Sequence, residues 1–284
     1  MHSGSFGDVA EKLRRSTVQV VSGSRRSLGS GSGVICEHGD TIVTNAHVAR
    51  EPAVQIELWD GRSFPADVTS RDVRADLARL KVNAPGLPAL SWRTSPSVRP
   101  GELAIAVGNP LGFLGALSMG VVHALGRIPG MGARPWIQAA IRLAPGNSGG
   151  PLADAEGCVI GINTAVVAGG LALAIPSDSV LAFLQRGARP ALGIAVRPVA
   201  LSPSGGIGLL VLEVASQSLA ENASLLIGDV LVAANQQSFQ SADDLSDAID
   251  RSEGSVLKLG FLRGDRRAER EVSIPLPQSR REAA

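Results

Sequence analysis

The chain of 284 residues has no tyrosine, three tryptophans, six phenylalanines and two cysteines. Two cysteines cannot staple a small secreted scaffold. Cys36 and Cys158 lie far apart in sequence, which predicts two buried free thiols, with a disulfide as the alternative. Neither charge sign is in excess: 27 basic side chains face 26 acidic ones, a net of +1. Nothing in that balance points to nucleic acid or an anionic membrane as partner. Lysine is scarce, 3 against 24 arginines, which reads as compositional bias and not as a site. Long hydrophobic runs are absent too. The most apolar stretch, 159–176, is broken by Gly161, Asn163, Thr164, Gly169, Gly170 and Pro176. A spanning helix wants about 20 predominantly apolar residues, so the stretch reads as two buried strands and their loop, with no integral membrane segment. Residues 1–15 lack the apolar stretch of a secretory signal, which leaves a cytosolic, a processed or a truncated chain. Four scattered histidines and two distant cysteines give no metal-ligand spacing, so no metal is expected.

Glycine is plentiful instead, 33 residues where an average chain of this size has roughly 7%. Short strand-like runs fill 16–176, at 17–21, 33–36, 41–44, 54–58, 77–82, 103–107, 121–124, 136–138, 158–163 and 171–175. Runs this short and frequent, bounded by Gly, Pro, Ser and Asp, predict a mostly β protein built as a sandwich or barrel. A helix is expected at 177–186, with Ser177 as its cap. The sequence RGARP then breaks the pattern. The division expected is an N-terminal segment 1–15, a domain at 16–186, a linker at 187–190 and a second domain at 191–284 with a polar tail. In the second domain, strands are expected at 208–214, 229–234 and 255–263, and helices near 217–224 and at 241–251.

Three motifs carry chemistry. In PGNSGGPL (145–152), Ser148 is flanked by Gly146, Gly149 and Gly150. Acyl transfer needs a hydroxyl on a sharply turned backbone beside N–H groups that can bind a developing oxyanion. His47 follows the apolar residues Ile42 and Val43, and Asp76 precedes an apolar run. Each alone reads as an ordinary surface or cap residue. In the chain order His47, Asp76, Ser148 they match the chymotrypsin-type serine hydrolase order. The glycine-rich 29–33 lacks the lysine and helix of a phosphate loop and is discounted.

With those motifs in place, the sequence resembles the HtrA/Deg family of trypsin-like proteases over roughly 16–275. GSGVI (31–35), TNAHV (44–48), ADLARLKV (75–82), AVGNPLG (106–112), GVVHALGR (120–127), PGNSGGPL, VIGINT (159–164) and AIPS (174–177) fall in the family's order; GLLVLEV (208–214) and GDVLVAANQQSF (228–239) look like its PDZ strands. The resemblance implies a chymotrypsin-like double β-barrel followed by a PDZ domain. It implies Ser148 as nucleophile, His47 as general base and acid, Asp76 as orienting carboxylate, and an oxyanion hole from Gly146, Asn147 and Ser148. Leu143 and Leu173 are expected to line an apolar specificity pocket, giving cleavage after aliphatic residues. Leu192, Gly193 and Ile194, with Leu245 and Ile249, are expected to receive C-terminal peptides. The implied activity is ATP-independent endoproteolysis of unfolded or damaged proteins by a homotrimer, without metal or organic cofactor. Family members mostly work outside the cytoplasm. The alternative is a chaperone-like or peptide-sensing binding protein with weak or conditional proteolysis. The sequence departs from the family at Ala140 and Ala144, where an Asp and an Asn are usual, and at Ala191, where an aromatic is usual.

Overall fold

A computed structural model describes residues 5–23, 29–36, 39–84, 86–128, 131, 134–166, 170–185, 192–201, 206–241, 243–264 and 269–277. The chain forms two compact units, Met1–Gln185 and Arg186–Ala284. The expected linker 187–190 lies outside the described residues.

The first unit opens with helix α1 (Phe6–Arg15), where the sequence predicts only an N-terminal segment. Its start is a capping box: Ser5 Oγ accepts from the Asp8 N–H while the Asp8 carboxylate accepts from the Ser5 N–H. Asp8 in the first turn and Lys12, Arg14 and Arg15 in the last suit the helix dipole. Six strands follow: β1 (Thr17–Ser22), β2 (Gly29–Ile35), β3 (Thr41–Thr44), β4 (Ala53–Glu57), β5 (Ser63–Asp72) and β6 (Leu77–Val82). They close an antiparallel barrel in the order β1-β2-β3-β6-β5-β4. Six more, β7 (Leu103–Gly108), β8 (Ala116–Arg127), β9 (Pro135–Ala139), β10 (Pro151–Ala153), β11 (Val159–Val166) and β12 (Ala172–Pro176), close a second barrel, ordered β10-β11-β12-β9-β8-β7. Closure leaves neither sheet with an unpaired edge. Helix α2 (Ser177–Gln185) ends the unit. The apolar stretch 159–176 is β11 and β12, as expected, and among the described residues no helix is long and apolar enough to cross a membrane.

Alternation along the strands sorts the side chains. Val18, Val20, Ile42, Ile56 and Leu80 fill the first barrel. Ala104, Val122, Ile137, Leu152 and Ala174 fill the second. Their neighbours on the opposite faces, Val34, Val43 and Leu77 from one barrel and Ile105, Ile162 and Leu173 from the other, form a third cluster between them, joined by Leu13 of α1 and Val180 of α2. The two barrels are thus locked through a dry seam. The polar strand β5 and the short β10 were absent from the expected elements. Pro65, Asp67 and Asp72 hide β5, whose residues mostly face solvent.

The second unit holds β13 (Ile194–Leu201), β14 (Gly206–Val214), α3 (Leu219–Asn222), β15 (Val230–Ala234), β16 (Gln237–Ser238), α4 (Asp243–Arg251), β17 (Val256–Leu262) and β18 (Glu269–Pro275). The main sheet runs β13-β14-β15-β17-β18, so β13 lies at one edge. Leu209, Val211, Leu231, Phe239, Leu257 and Leu259 are its core. Both cysteines are thiols; Cys36 is buried, whereas Cys158 is only half-buried.

Candidate active site

His47 sits in the turn after β3, Asp76 closes the turn between β5 and β6, and Ser148 lies on the loop before β10. Imidazole and carboxylate therefore come from the first barrel and the hydroxyl from the second. His47 Nδ1 is 2.9 Å from both Asp76 carboxylate oxygens. A carboxylate only accepts, so Nδ1 carries the proton and Nε2 is left as the basic nitrogen. The His47 N–H also donates to Asp76 Oδ1 at 3.1 Å. Thr164 Oγ1, from β11, donates to Oδ2 at 2.6 Å. Burial pushes the Asp76 carboxyl up, but the bonds from the His47 ring and Thr164 outweigh it and hold it below the usual carboxylate range. Asp76 adopts φ +53°, a left-handed conformation that costs a non-glycine residue of order 1–3 kcal/mol. Asn45 Nδ2 holds it there by donating to the Asp76 carbonyl at 2.8 Å.

The Ser148 loop is anchored by its neighbours. Gly149 has φ +87°, and a Cβ there would collide with the Ser32 carbonyl and Thr44 Oγ1, so only glycine fits. Ser32, fully buried on β2, is the hub: its N–H donates to the Ser148 carbonyl at 2.7 Å and its Oγ to the Gly146 carbonyl at 2.6 Å. Ser32 Oγ in turn accepts the Asn109 N–H at 2.9 Å. The glycine-rich 29–33 is thus the strand that backs the nucleophile loop. The Asn147 N–H is already engaged, donating to the Ala144 carbonyl at 3.0 Å. Among the described residues the N–H groups of Gly146 and Ser148 have no acceptor. Ser148 Oγ makes no hydrogen bond to His47; it donates to the Thr164 carbonyl at 3.0 Å.

The trypsin-like peptidase domain family matches residues 31–162, and the PDZ domain family matches 190–274. HhoA of Synechocystis sp., named as a serine protease, is 35% identical over 86% of this chain and 70% of its own length. The chain belongs to the HtrA/DegP family. Serine protease HTRA1 of Xenopus tropicalis is 34% identical over 83% of this chain. The chain spans 58% of that relative's length. The solved HtrA-type protease AlgW, determined with a tripeptide, superposes with a TM-score of 0.62 at 28% identity, covering 96% of each chain. Its fold is the double barrel and PDZ domain described above.

Against the HtrA pattern, two expectations change. Leu173 does not line a pocket with Leu143. Alternation on β12 turns Leu173 into the seam between the barrels, where it is fully buried with Ile162 and Ile175. Leu143 is half-buried and packs against the interior of the second barrel. Leu192 and Leu245 are core residues of the PDZ unit, 3% and 5% exposed. Ile194 and Ile249 are half-buried beside that core, and Gly193 has φ +75°. The Leu192 and Gly193 carbonyls accept from Ala220 and Ala215, while their N–H groups have no acceptor among the described residues. Ala191 lies outside the described residues. Ala140 and Ala144, the two departures from the HtrA pattern, are exposed beside the Ser148 loop. Thr164 and Ser32 were not singled out from sequence; both sat inside recognised motifs, but only the fold shows their hydroxyls meeting the site.

Proposed function

We propose that this chain is an ATP-independent serine endopeptidase acting on unfolded polypeptides through His47, Asp76 and Ser148. The observation that carries the reading is the bidentate approach of Asp76 to His47 Nδ1, 2.9 Å to each oxygen, beside a nucleophile loop with two uncommitted N–H groups. Rotation of the Ser148 side chain brings Oγ from the Thr164 carbonyl toward His47 Nε2. His47 takes the hydroxyl proton as Oγ attacks the scissile carbonyl, and Asp76 stabilises the imidazolium without itself becoming protonated. The Gly146 and Ser148 N–H groups then meet the oxyanion, where one donor is worth about 3–4 kcal/mol. His47 next protonates the leaving amine, and water repeats the sequence on the acyl-enzyme.

Leu143 supports preference for an aliphatic side chain before the cleaved bond. Gly193 and Leu192, whose N–H groups have no acceptor among the described residues at the start of edge strand β13, support capture of C-terminal peptides by strand addition. A homotrimer is part of this reading, and a monomer mass in light scattering would remove it. The second reading, a peptide-binding protein with conditional proteolysis, is favoured by one feature: Ser148 Oγ rests on Thr164 instead of on His47.

Degradation of casein, compared with Ser148→Ala, tests the proposal. Losing the serine nucleophile costs on the order of 10⁶ in turnover, so the variant is expected to be silent while the parent cleaves both casein and fluorogenic peptides with an aliphatic residue before the bond. Equal casein cleavage by both would refute the assignment of Ser148.

A further inference from the structure

A guanidinium from the second barrel grips the turn that carries Asp76. Arg134 stands immediately before β9, with Cζ 3.9 Å from the centroid of the Trp136 ring. Its Nη1 donates to the Arg74 carbonyl at 2.9 Å. Arg74 lies two residues before Asp76, in the same turn whose last residue holds φ +53°. Trp136 is 3% exposed and belongs to the seam cluster, so the platform under the guanidinium is fixed. Burial works against the charge of Arg134 and lowers its guanidinium below the ordinary value, while the carboxylates of Asp76 and Asp72 work in its favour. The cation is therefore held near the acid by stacking, by one directed bond and by charge together.

We propose that Arg134 is a positioning residue for the triad, clamping the Asp76 turn of the first barrel to the Trp136 platform of the second. The proposal rests on the triad assignment above. A lysine could keep the charge but not the flat stack and the directed N–H at once. Other charged groups near the base make bonds of their own. Arg50 Nε donates to the His47 carbonyl at 2.8 Å and Arg71 Nε, from β5, to the Ala46 carbonyl at 3.1 Å. Asp72 Oδ1 accepts the Ala75 N–H at 2.9 Å in the same turn. From the second barrel, Thr164 meets the acid as a neutral donor. Arg50 and Arg71 thus brace the turn of the base, and Arg134 braces the turn of the acid.

The test is the turnover of a fluorogenic peptide with an aliphatic residue before the bond, split into kcat and KM, together with the rate at which a fluorophosphonate labels Ser148, in the full chain and in Arg134→Gln and Arg134→Lys. Arg134→Gln is expected to label about tenfold more slowly and to lose about tenfold in kcat with KM unchanged. Arg134→Lys is expected to recover part of that loss, labelling about threefold more slowly. Parental rates in both variants would overturn the proposal. So would equal slowing of both, because lost packing alone gives that result. Thermal melting of each variant shows whether it is folded at the assay temperature; if Arg134→Gln is not, a parental rate in Arg134→Lys overturns the clamp. Label persisting in Ser148→Ala would refute the triad assignment itself, a separate failure.

Discussion

Thr164 touches both Asp76 and Ser148, the two ends of the proposed proton path. Its hydroxyl donates to Asp76 at 2.6 Å and its carbonyl accepts from Ser148 Oγ at 3.0 Å. Valine keeps the shape and the carbonyl but removes the donor, leaving one carboxylate oxygen short of a partner in a partly buried place. Thr164→Val is expected to lower peptidase turnover about tenfold and to destabilise the first unit by about 1 kcal/mol at neutral pH. The sign of the pH dependence follows from Asp76, whose folded-state carboxyl lies below the usual range. Its stabilising contribution is present above the unfolded-state value and is lost as pH falls through the folded-state value. The melting difference between parent and variant should therefore be visible at pH 7 and close up in acid. A gap that stays constant across that range would show that the Thr164–Asp76 bond does not set it. Thr164→Ser should restore most of the turnover.

At the scale of elements, α1 is a wedge. Its last buried residue, Leu13, is fully covered and meets residues of both barrels in the seam, while Arg14 lies against Gly115 ahead of β8. The candidate site straddles that seam, since His47 and Asp76 ride on one barrel and Ser148 and Thr164 on the other. Truncating Leu13 leaves a cavity where the barrels meet. Leu13→Ala is expected to cost about 3 kcal/mol of stability, measured by denaturant unfolding of the full chain, and to reduce peptidase activity beyond what the unfolded fraction explains. A loss below about 1 kcal/mol would mean that α1 is peripheral to the seam. The strands around the site carry less freedom than their glycine content suggests. Ser32 on β2 ties together Gly146, Ser148 and Asn109, so the strand acts as a rigid back wall for the loop.

At the scale of the whole molecule, a protease unit and a PDZ unit share one chain, and the second offers an edge strand, β13, preceded by two N–H groups that have no acceptor among the described residues. Strand addition with carboxylate capture predicts a dependence on the free C-terminus of the ligand. Calorimetric titration of the full chain with peptides ending in an apolar residue is expected to show binding that disappears when the same peptides are amidated. Equal affinity for acid and amide would exclude carboxylate capture at Leu192 and Gly193.

Much of this was legible in the residues alone. The barrel strands announce themselves by short β-branched runs between turn residues, and the order of His47, Asp76 and Ser148 points to one scaffold because each residue sits in its own motif. Elements made of polar or charged residues were not legible: β5 and β18 are half-exposed strands whose outward side chains mask the alternation. Helix α1 carries a readable signal, Ser5 with Asp8, within the N-terminal segment 1–15, where no helix is expected. The sequence by itself determined the chemistry available, a hydroxyl on a glycine-rich turn, an imidazole and a carboxylate. Only the tertiary structure decided the rest, because contacts between Thr164 and Asp76, Ser32 and Gly146, or Arg134 and the Arg74 carbonyl join residues 60 or more positions apart. The same long-range packing turned Leu173 into the seam and not toward a pocket, since a strand's alternation assigns faces only after its partners are known.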